Sequence, residues 1–280
     1  MKIKLVADSS ANLLWIQDAD FSTVPLKIVV GESEFVDDAG IDTALMLQKL
    51  KSHKGPTSTA CPGVQDWLDA FGDADIVYGV SITSGLSACY NTAVIAAEEY
   101  MNLHPERKVF ILDSLTTGPE MELVLEKYCE LIKAERDYES VCAGIKTYLE
   151  TTGLLFSLES LDHFAKNGRV SPAVAKAVGI LGIRVVGRAS GEGTLEPLHK
   201  CRGGKSAVMQ LIKTMERSGY RGGKVRISHT ENEAGANALA EQIVMKYPGC
   251  DIRIRENRGL CSYYAEKGSV LVGYEKGLMG

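Results

Sequence analysis

Hydroxyl side chains crowd three short segments of this chain, each of which follows an apolar run. Asp8-Ser9-Ser10 follows Lys2–Val6, the stretch Ser81-Ile82-Thr83-Ser84-Gly85-Leu86-Ser87 follows Ile76–Val80, and Asp113-Ser114-Leu115-Thr116-Thr117 follows Val109–Leu112. Serine and threonine hydroxyls at helix starts, beside free backbone N–H groups, suit an anion. None of the five histidines lies in these turns. The pattern therefore points to holding an anionic group rather than performing chemistry on it.

A nucleophilic serine would need a base that a third group orients. His53, His163, His199 and His229 are the candidate bases, with His229 just past a strand, whereas His104 sits in a Leu-His-Pro turn. No G-x-S-x-G elbow surrounds Ser84 or Ser87, so a serine hydrolase or acyltransferase acting on an acyl substrate stands as the alternative reading. A kinase subunit would need a phosphate loop, and Arg202-Gly203-Gly204-Lys205-Ser206 is only a superficial echo of one. No cluster of His, Cys and Asp has metal-ligand spacing, so neither a metal nor another cofactor is expected.

The turns need a scaffold, and the chain supplies one by alternation. Strand candidates Ile3–Val6, Val24–Val30, Ile76–Val80 and Val109–Leu112 are separated by helical periodicity at Thr43–Leu50, Val64–Phe71, Ser87–Met101, Pro119–Lys133 and Ser140–Glu150. Strands separated by helices imply a doubly wound, mainly parallel sheet with ligands at its carboxyl edge. The second half reads as strands at Gly153–Ser157, Ile183–Val186, Thr194–Cys201, Lys224–Ser228, Asp251–Arg255 and Ser269–Tyr274, with helices at Gly204–Arg217 and Asn232–Tyr247. The expectation is an α/β protein of two domains, 1–150 and 151–280, divided near Thr151 where a helical stretch gives way to an apolar strand.

Composition narrows the function classes. Of 280 residues 45% are hydrophobic and 24% charged, a globular balance, and no window approaches a membrane span. Seven scattered cysteines without a C-x-x-C pair, and an opening MKIKLVADSS that reads as a strand, predict a cytoplasmic chain with reduced thiols. The net charge of −5 hides an asymmetry: residues 165–226 carry 13 Lys/Arg against three acids, and the remainder has a net charge of −15. Ion pairs between the halves are one reading of this. A basic face for an anionic partner, including transient contact with a phospholipid surface, is the other. Nucleic acid is not expected, because Tyr220 is the only aromatic residue of the basic stretch.

Read in order, six segments resemble the DegV family of fatty-acid-binding proteins. Asp8-Ser9-Ser10-Ala11-Asn12-Leu13 is similar to the family's D-S-x-x-D/N-L, Val24-Pro25-Leu26-Lys27-Ile28 with Gly31 to its V-P-L-x-I…G, and Thr59-Ala60-Cys61-Pro62 to T-S-Q-P. Thr83-Ser84-Gly85-Leu86-Ser87-Ala88-Cys89-Tyr90 resembles S-S-x-L-S-G-T-Y, Val109–Ser114 the strand ending in D-S, and Asn167-Gly168-Arg169-Val170-Ser171 the G-G-R-I-S segment. The resemblance spans nearly the whole chain. It implies non-enzymatic binding of a long-chain fatty acid such as palmitate or oleate, with a tunnel between or beneath the two domains. Presentation to a fatty acid kinase or lipid transport would be its purpose.

The resemblance assigns the carboxylate to Thr59 and Ser87, with Ser84 the next hydroxyl and Ser58 a neighbour. Arg169, ahead of a helix start at Ser171-Pro172, is placed to steer a phosphate or a partner. Two departures stand out. The family's H-x-G-P-G histidine is missing, and Asn257 or Arg258 in Asn257-Arg258-Gly259-Leu260-Cys261 is expected in its place. Cys61 and Cys89 stand where the family has Gln and Thr. Energetically, burial of about 0.8 kcal/mol per CH₂ gives a 16-carbon tail on the order of 10 kcal/mol. Each charge-assisted hydrogen bond adds roughly 1.5–3 kcal/mol. The tail should set affinity and the hydroxyls orientation.

Overall fold

Alternate residues of the first strands face opposite ways, and helices cover both faces. In the computed structural model, which describes residues 1–172, 175 and 182–277, β1 (Ile3–Asp8), β2 (Phe21–Val24), β6 (Ile76–Ser81) and β7 (Lys108–Asp113) form a parallel sheet in the order β2-β1-β6-β7. Leu5, Ala7, Tyr78 and Val80 pack with α4 (Pro119–Lys133) and α5 (Tyr138–Glu150), whereas Val6, Val77, Val109 and Ile111 pack with α2 (Val64–Phe71) and α3 (Cys89–Leu103). This is the doubly wound arrangement that the alternation predicts. The carboxyl ends of β1, β6 and β7 bring the three hydroxyl-rich turns side by side: Thr83 N–H donates to Thr116 O at 3.0 Å and Ser114 N–H to Ser81 O at 3.1 Å.

The expected single strand Val24–Val30 is two. Pro25 has no N–H to give a ladder, so β2 stops at Val24 and the chain re-enters as β3 (Lys27–Val30). β3 pairs antiparallel with β4 (Ser33–Val36) and β5 (Thr57–Ala60) in a small separate sheet, which the sequence reading did not contain. Thr59 is therefore on a strand rather than in a turn. α1 (Thr43–Ser52) lies between β4 and β5 in the chain.

Residues 152–276 build a six-stranded sheet in the order β10-β9-β8-β13-β11-β12, antiparallel except between β11 and β12. Its strands are β8 (Thr152–Leu158), β9 (Ile183–Ala189), β10 (Leu195–Arg202), β11 (Tyr220–His229), β12 (Ile252–Glu256) and β13 (Val270–Lys276). Leu155, Val186, Ile227 and Val272 pack beneath α7 (Gly203–Arg217) and α8 (Glu233–Lys246), while Leu154, Phe156, Leu158 and Leu271 line the opposite face. Two short helices complete the chain, α6 (Asp162–Lys166) and α9 (Gly259–Ala265), neither of which the sequence reading contained. The helix expected to open at Ser171-Pro172 falls mostly outside the described residues. No helix among the described residues is long and apolar enough to cross a membrane.

Charge joins the two sheets. Arg226 on β11, with its side chain only 1% exposed, makes a paired contact with Glu126 of α4 (2.8 and 2.7 Å) and a third with Asp251 (2.8 Å). Lys224 reaches Glu130 at 2.5 Å, and Arg255 holds the buried Glu122 at 3.0 Å. Part of the basic excess of residues 165–226 is thus neutralised across the halves. Where α4 crosses β13 the backbones touch so closely that a Cβ on Gly273 would sit 2.5 Å from Glu120 N.

Replacing Arg226 with Met should destabilise the fold by about 3 kcal/mol, because Glu126 is then left largely buried with only Lys224 and Arg253 beside it. Adding Glu126→Leu should recover part of that loss. Urea denaturation of the wild type and both variants measures this, and a double variant less stable than the single one would contradict it.

Candidate functional site

Where the hydroxyl turns of the parallel sheet meet the face of the six-stranded sheet that carries Leu154, Phe156, Leu158 and Leu271, a slender cavity remains. It encloses about 830 Å³ of space free of protein atoms, its open mouth included, of which only about 90 Å³ admits the centre of a water molecule. So narrow a bore suits a thin ligand better than a bulky one. The wall is apolar over most of its length. β8 and β13 supply Leu154, Phe156, Leu158 and Leu271, the β9–β10 turn supplies Ala189, Thr194 and Leu195, and α6 and α9 supply Phe164, Leu260, Cys261 and Ala265.

Polar side chains also line it, with Thr83, Thr116, Thr117 and Thr194 among them. Thr59 on β5 and Ser87 in the turn before α3 both line the cavity, together with Arg169. The two hydroxyls, 28 residues apart in sequence, are brought together because the small sheet packs beside the carboxyl edge of the parallel one. Thr59 Oγ1 lies 2.8 Å from the hydroxyl of Tyr264, which also lines the cavity. Tyr264 is fixed by ring contacts with Phe164 and Tyr263, centroids 4.8 Å away in each case. Burial is the largest influence on its phenol and pushes it above the ordinary value, so it stays a neutral donor. Ser87 Oγ donates to Cys89 Sγ at 3.1 Å and accepts from Cys89 N–H at 3.3 Å. Arg169 is anchored through Nε to Leu86 O at 3.2 Å and through Nη1 to Asn167 O at 2.5 Å. Among the described residues no carboxylate lies within ion-pair distance of it.

The other sequence candidates stand elsewhere. Ser84 is exposed and absent from the cavity wall, and its N–H donates to Asp113 Oδ1 at 3.0 Å. Ser58, one residue from Thr59 on β5, points to the opposite face, as strand alternation requires. Asn257 is buried in a bonded pair with Asn12 (2.8 Å) and Thr230 (3.0 Å). Arg258 turns to the carbonyl of Asp38 and lies 3.9 Å from Asp37. The residue of the C-terminal segment that does bring a hydroxyl to the cavity is Tyr264. Sequence reasoning missed it because the seven-residue α9 carries too few turns for a periodic signal, and the search for a replacement histidine stopped at Asn257 and Arg258. No histidine lines the cavity. His229 meets Asn232, and His163 stacks on Tyr263 with centroids 4.5 Å apart.

Two buried carboxylates hold these loops in place. Asp8 accepts from Ser10 N–H at 3.0 Å, from Ser10 Oγ at 2.5 Å and from Ile82 N–H at 2.6 Å, which fixes the second hydroxyl turn to the first. Asp37, fully buried after β4, accepts from Gly259 N–H at 3.0 Å and Leu260 N–H at 2.9 Å, so that it seats the N-terminus of α9. Burial is the largest influence on both and raises their pKa values, against the pull of these donors. Cys61 and Cys89 lie together beneath the site in a cluster with Leu26, Ile82 and Leu260.

Comparison with known proteins bears on the same cavity. A family model described as "Uncharacterised protein, DegV family" matches residues 2–277. A DegV domain-containing protein of Streptococcus pneumoniae is 39% identical over 279 residues, covering 98% of this chain and 99% of the relative. Among solved structures, a DegV family protein from Eubacterium eligens loaded with heptadecanoic acid superposes with a TM-score of 0.96 at 43% identity, covering 98% of this chain and 100% of that one. The Streptococcus pneumoniae Fatty Acid Kinase (Fak) B3 protein loaded with linoleic acid superposes at 0.97 with 38% identity, covering 99% and 100%.

Asp8→Asn should lower stability by about 1–3 kcal/mol, since the amide offers one acceptor oxygen fewer to N–H groups that have no water to turn to. An unchanged urea midpoint would show that Asp8 does not hold the two turns together.

Proposed function

We propose that this chain, which belongs to the DegV family, binds one long-chain fatty acid and carries out no chemistry on it. The observation that carries this reading is one slender, mostly apolar cavity whose wall also holds hydroxyls and one arginine. A fatty acid combines an apolar chain with an anionic head in the same way. Thr59, Ser87 and Tyr264 offer three neutral hydroxyls, and Arg169 adds the cationic charge that a carboxylate requires when it leaves water. A carboxylate accepts up to about four hydrogen bonds, so these groups suffice to satisfy it.

The acyl chain then runs along Leu154, Phe156, Leu158 and Leu271 on the cavity-facing side of the six-stranded sheet. Each CH₂ buried there contributes about 0.8 kcal/mol, so chain length dominates affinity and the hydroxyls fix the direction of entry. Ser87 is not poised for attack. Its hydroxyl proton is directed to Cys89 Sγ, and the cavity wall holds no histidine to take it. The Fak B3 relative, similar over its whole length, is named for a fatty acid kinase. A kinase of that kind is the partner we propose for this chain, with the bound acid as the presented cargo.

Native mass spectrometry of the purified protein, followed by denaturing extraction, should reveal one fatty acid per chain. A clean ligand-free mass that also takes up neither palmitate nor oleate would overturn the reading. The Thr59→Ala, Ser87→Ala double variant should keep its fold and bind at least about 100-fold more weakly, from the loss of two charge-assisted hydrogen bonds of roughly 1.5–3 kcal/mol each. Unchanged affinity in that variant would remove both residues from the head-group site.

A further inference from the structure

Two thiols sit beneath the head-group end of the cavity, and each is tied in sequence to one of the hydroxyls assigned to the carboxylate. Cys61 follows Thr59 by two residues at the end of β5, and Cys89 follows Ser87 by two residues at the start of α3. The loops converge, so both thiols pack into one small apolar cluster with Leu26, Ile82 and Leu260. Cys89 is buried, and its sulfur already takes the proton of Ser87 Oγ at 3.1 Å. Cys61 is only partly buried and stands on the solvent side of the pair.

The two differ in reactivity as well as in exposure. The Cys61 thiol is held well below the ordinary cysteine range, chiefly by the hydrogen bond from Cys89, with the Arg169 guanidinium adding to the effect. Cys89 is pushed the other way, by its neighbour Cys61 and by burial, and stays a thiol; burial also raises Cys129, Cys142 and Cys261, Cys261 to about 12. Oxidation selects a thiol that is both ionised and reachable, and a second thiol in contact resolves the product. Among the described cysteines Cys61 meets the first requirement and Cys89 the second.

We propose that Cys61 and Cys89 are an oxidative modification site at which a peroxide forms a disulfide that loosens the fatty acid. The Cys61 thiolate attacks one oxygen of hydrogen peroxide, breaks the O–O bond and becomes a sulfenic acid, and the other oxygen leaves as water once protonated. The Cys89 sulfur then attacks the sulfenic sulfur, forms the S–S bond and expels the second water. The two thiols lose two electrons and two protons in all, and peroxide gains them. The new bond ties the β5 end to the start of α3, so the spacing of Thr59 and Ser87 is set by the sulfur bridge instead of by the carboxylate. Ser87 also loses the thiol sulfur that oriented its hydroxyl.

The release rests on the fatty-acid reading, whereas the disulfide does not, and the test separates them. The purified protein is treated with hydrogen peroxide, digested without reductant and analysed by mass spectrometry. In parallel, oleate affinity is measured before oxidation, after it, and after dithiothreitol. The expected result is a peptide linking Cys61 to Cys89, oleate affinity at least about tenfold weaker, full recovery on reduction, and neither effect in Cys61→Ser. Absence of the linked peptide, with other cysteines oxidised instead, overturns the site. A linked peptide with unchanged oleate affinity overturns the release. A reduced protein that binds no oleate overturns the fatty-acid reading and the release with it, while the linked peptide still decides the site.

Discussion

An apolar slot between two sheets stays open only if its walls are held from outside, because closing it would restore dispersion contacts along its whole length. In this protein the holding is done by buried carboxylates that accept backbone N–H groups. Asp37 takes Gly259 and Leu260 and thereby sets the height of α9 above the six-stranded sheet. Asp8 takes Ser10 and Ile82 and fixes how far the second hydroxyl turn can move toward that sheet. Every wall residue contributed by these loops, from Ile82 and Ser87 to Cys261 and Tyr264, is placed by one of the two anchors.

The framework behind the slot is stiffened by a different chemistry. Glu122, Glu126 and Glu130 on α4 meet Arg255, Arg226 and Lys224 of the second sheet in a partly buried charge ladder. Such pairs contribute little net stability over apolar packing, but breaking one partner alone is costly, so they favour one relative position of α4 and the sheet. Gly273 allows the same helix to lie directly on β13. The carboxylate anchors thus shape the loops of the site, while the charge ladder and the close helix–sheet contact keep the two sheets in register around it.

The site divides its labour in the same way. Its cationic group, Arg169, is tethered by backbone carbonyls, and no acid among the described residues pairs with it. The hydroxyls are held by neighbours that are themselves fixed, Thr59 by Tyr264 and Ser87 by Cys89. In the reading proposed above, a head group entering here meets hydroxyls whose positions are already fixed, and the length of apolar wall behind them decides how strongly the ligand is retained.

Local pattern was enough for much of this. The alternation of strands and helices, the bounds of α2 and α4, and the hydroxyl turns at strand ends follow from periodicity and capping within a few residues, and six ordered segments carried the family resemblance. Thr59 and Ser87 could be named because each lies inside a recognisable segment. Pro25 splits a run that looked continuous, and the three-stranded sheet depends on pairing between residues 27 to 33 positions apart, which short-range pattern does not encode. Tyr264, the opposite face of Ser58, and the removal of Asn257 and Arg258 from the cavity depend on which loops meet, and so does the contact between Cys61 and Cys89. What the sequence determined by itself was the set of elements and the chemistry at their ends. Which side chains share one cavity was decided by tertiary structure, because apolar residues of a core and of a ligand wall have the same composition and differ only in what they face.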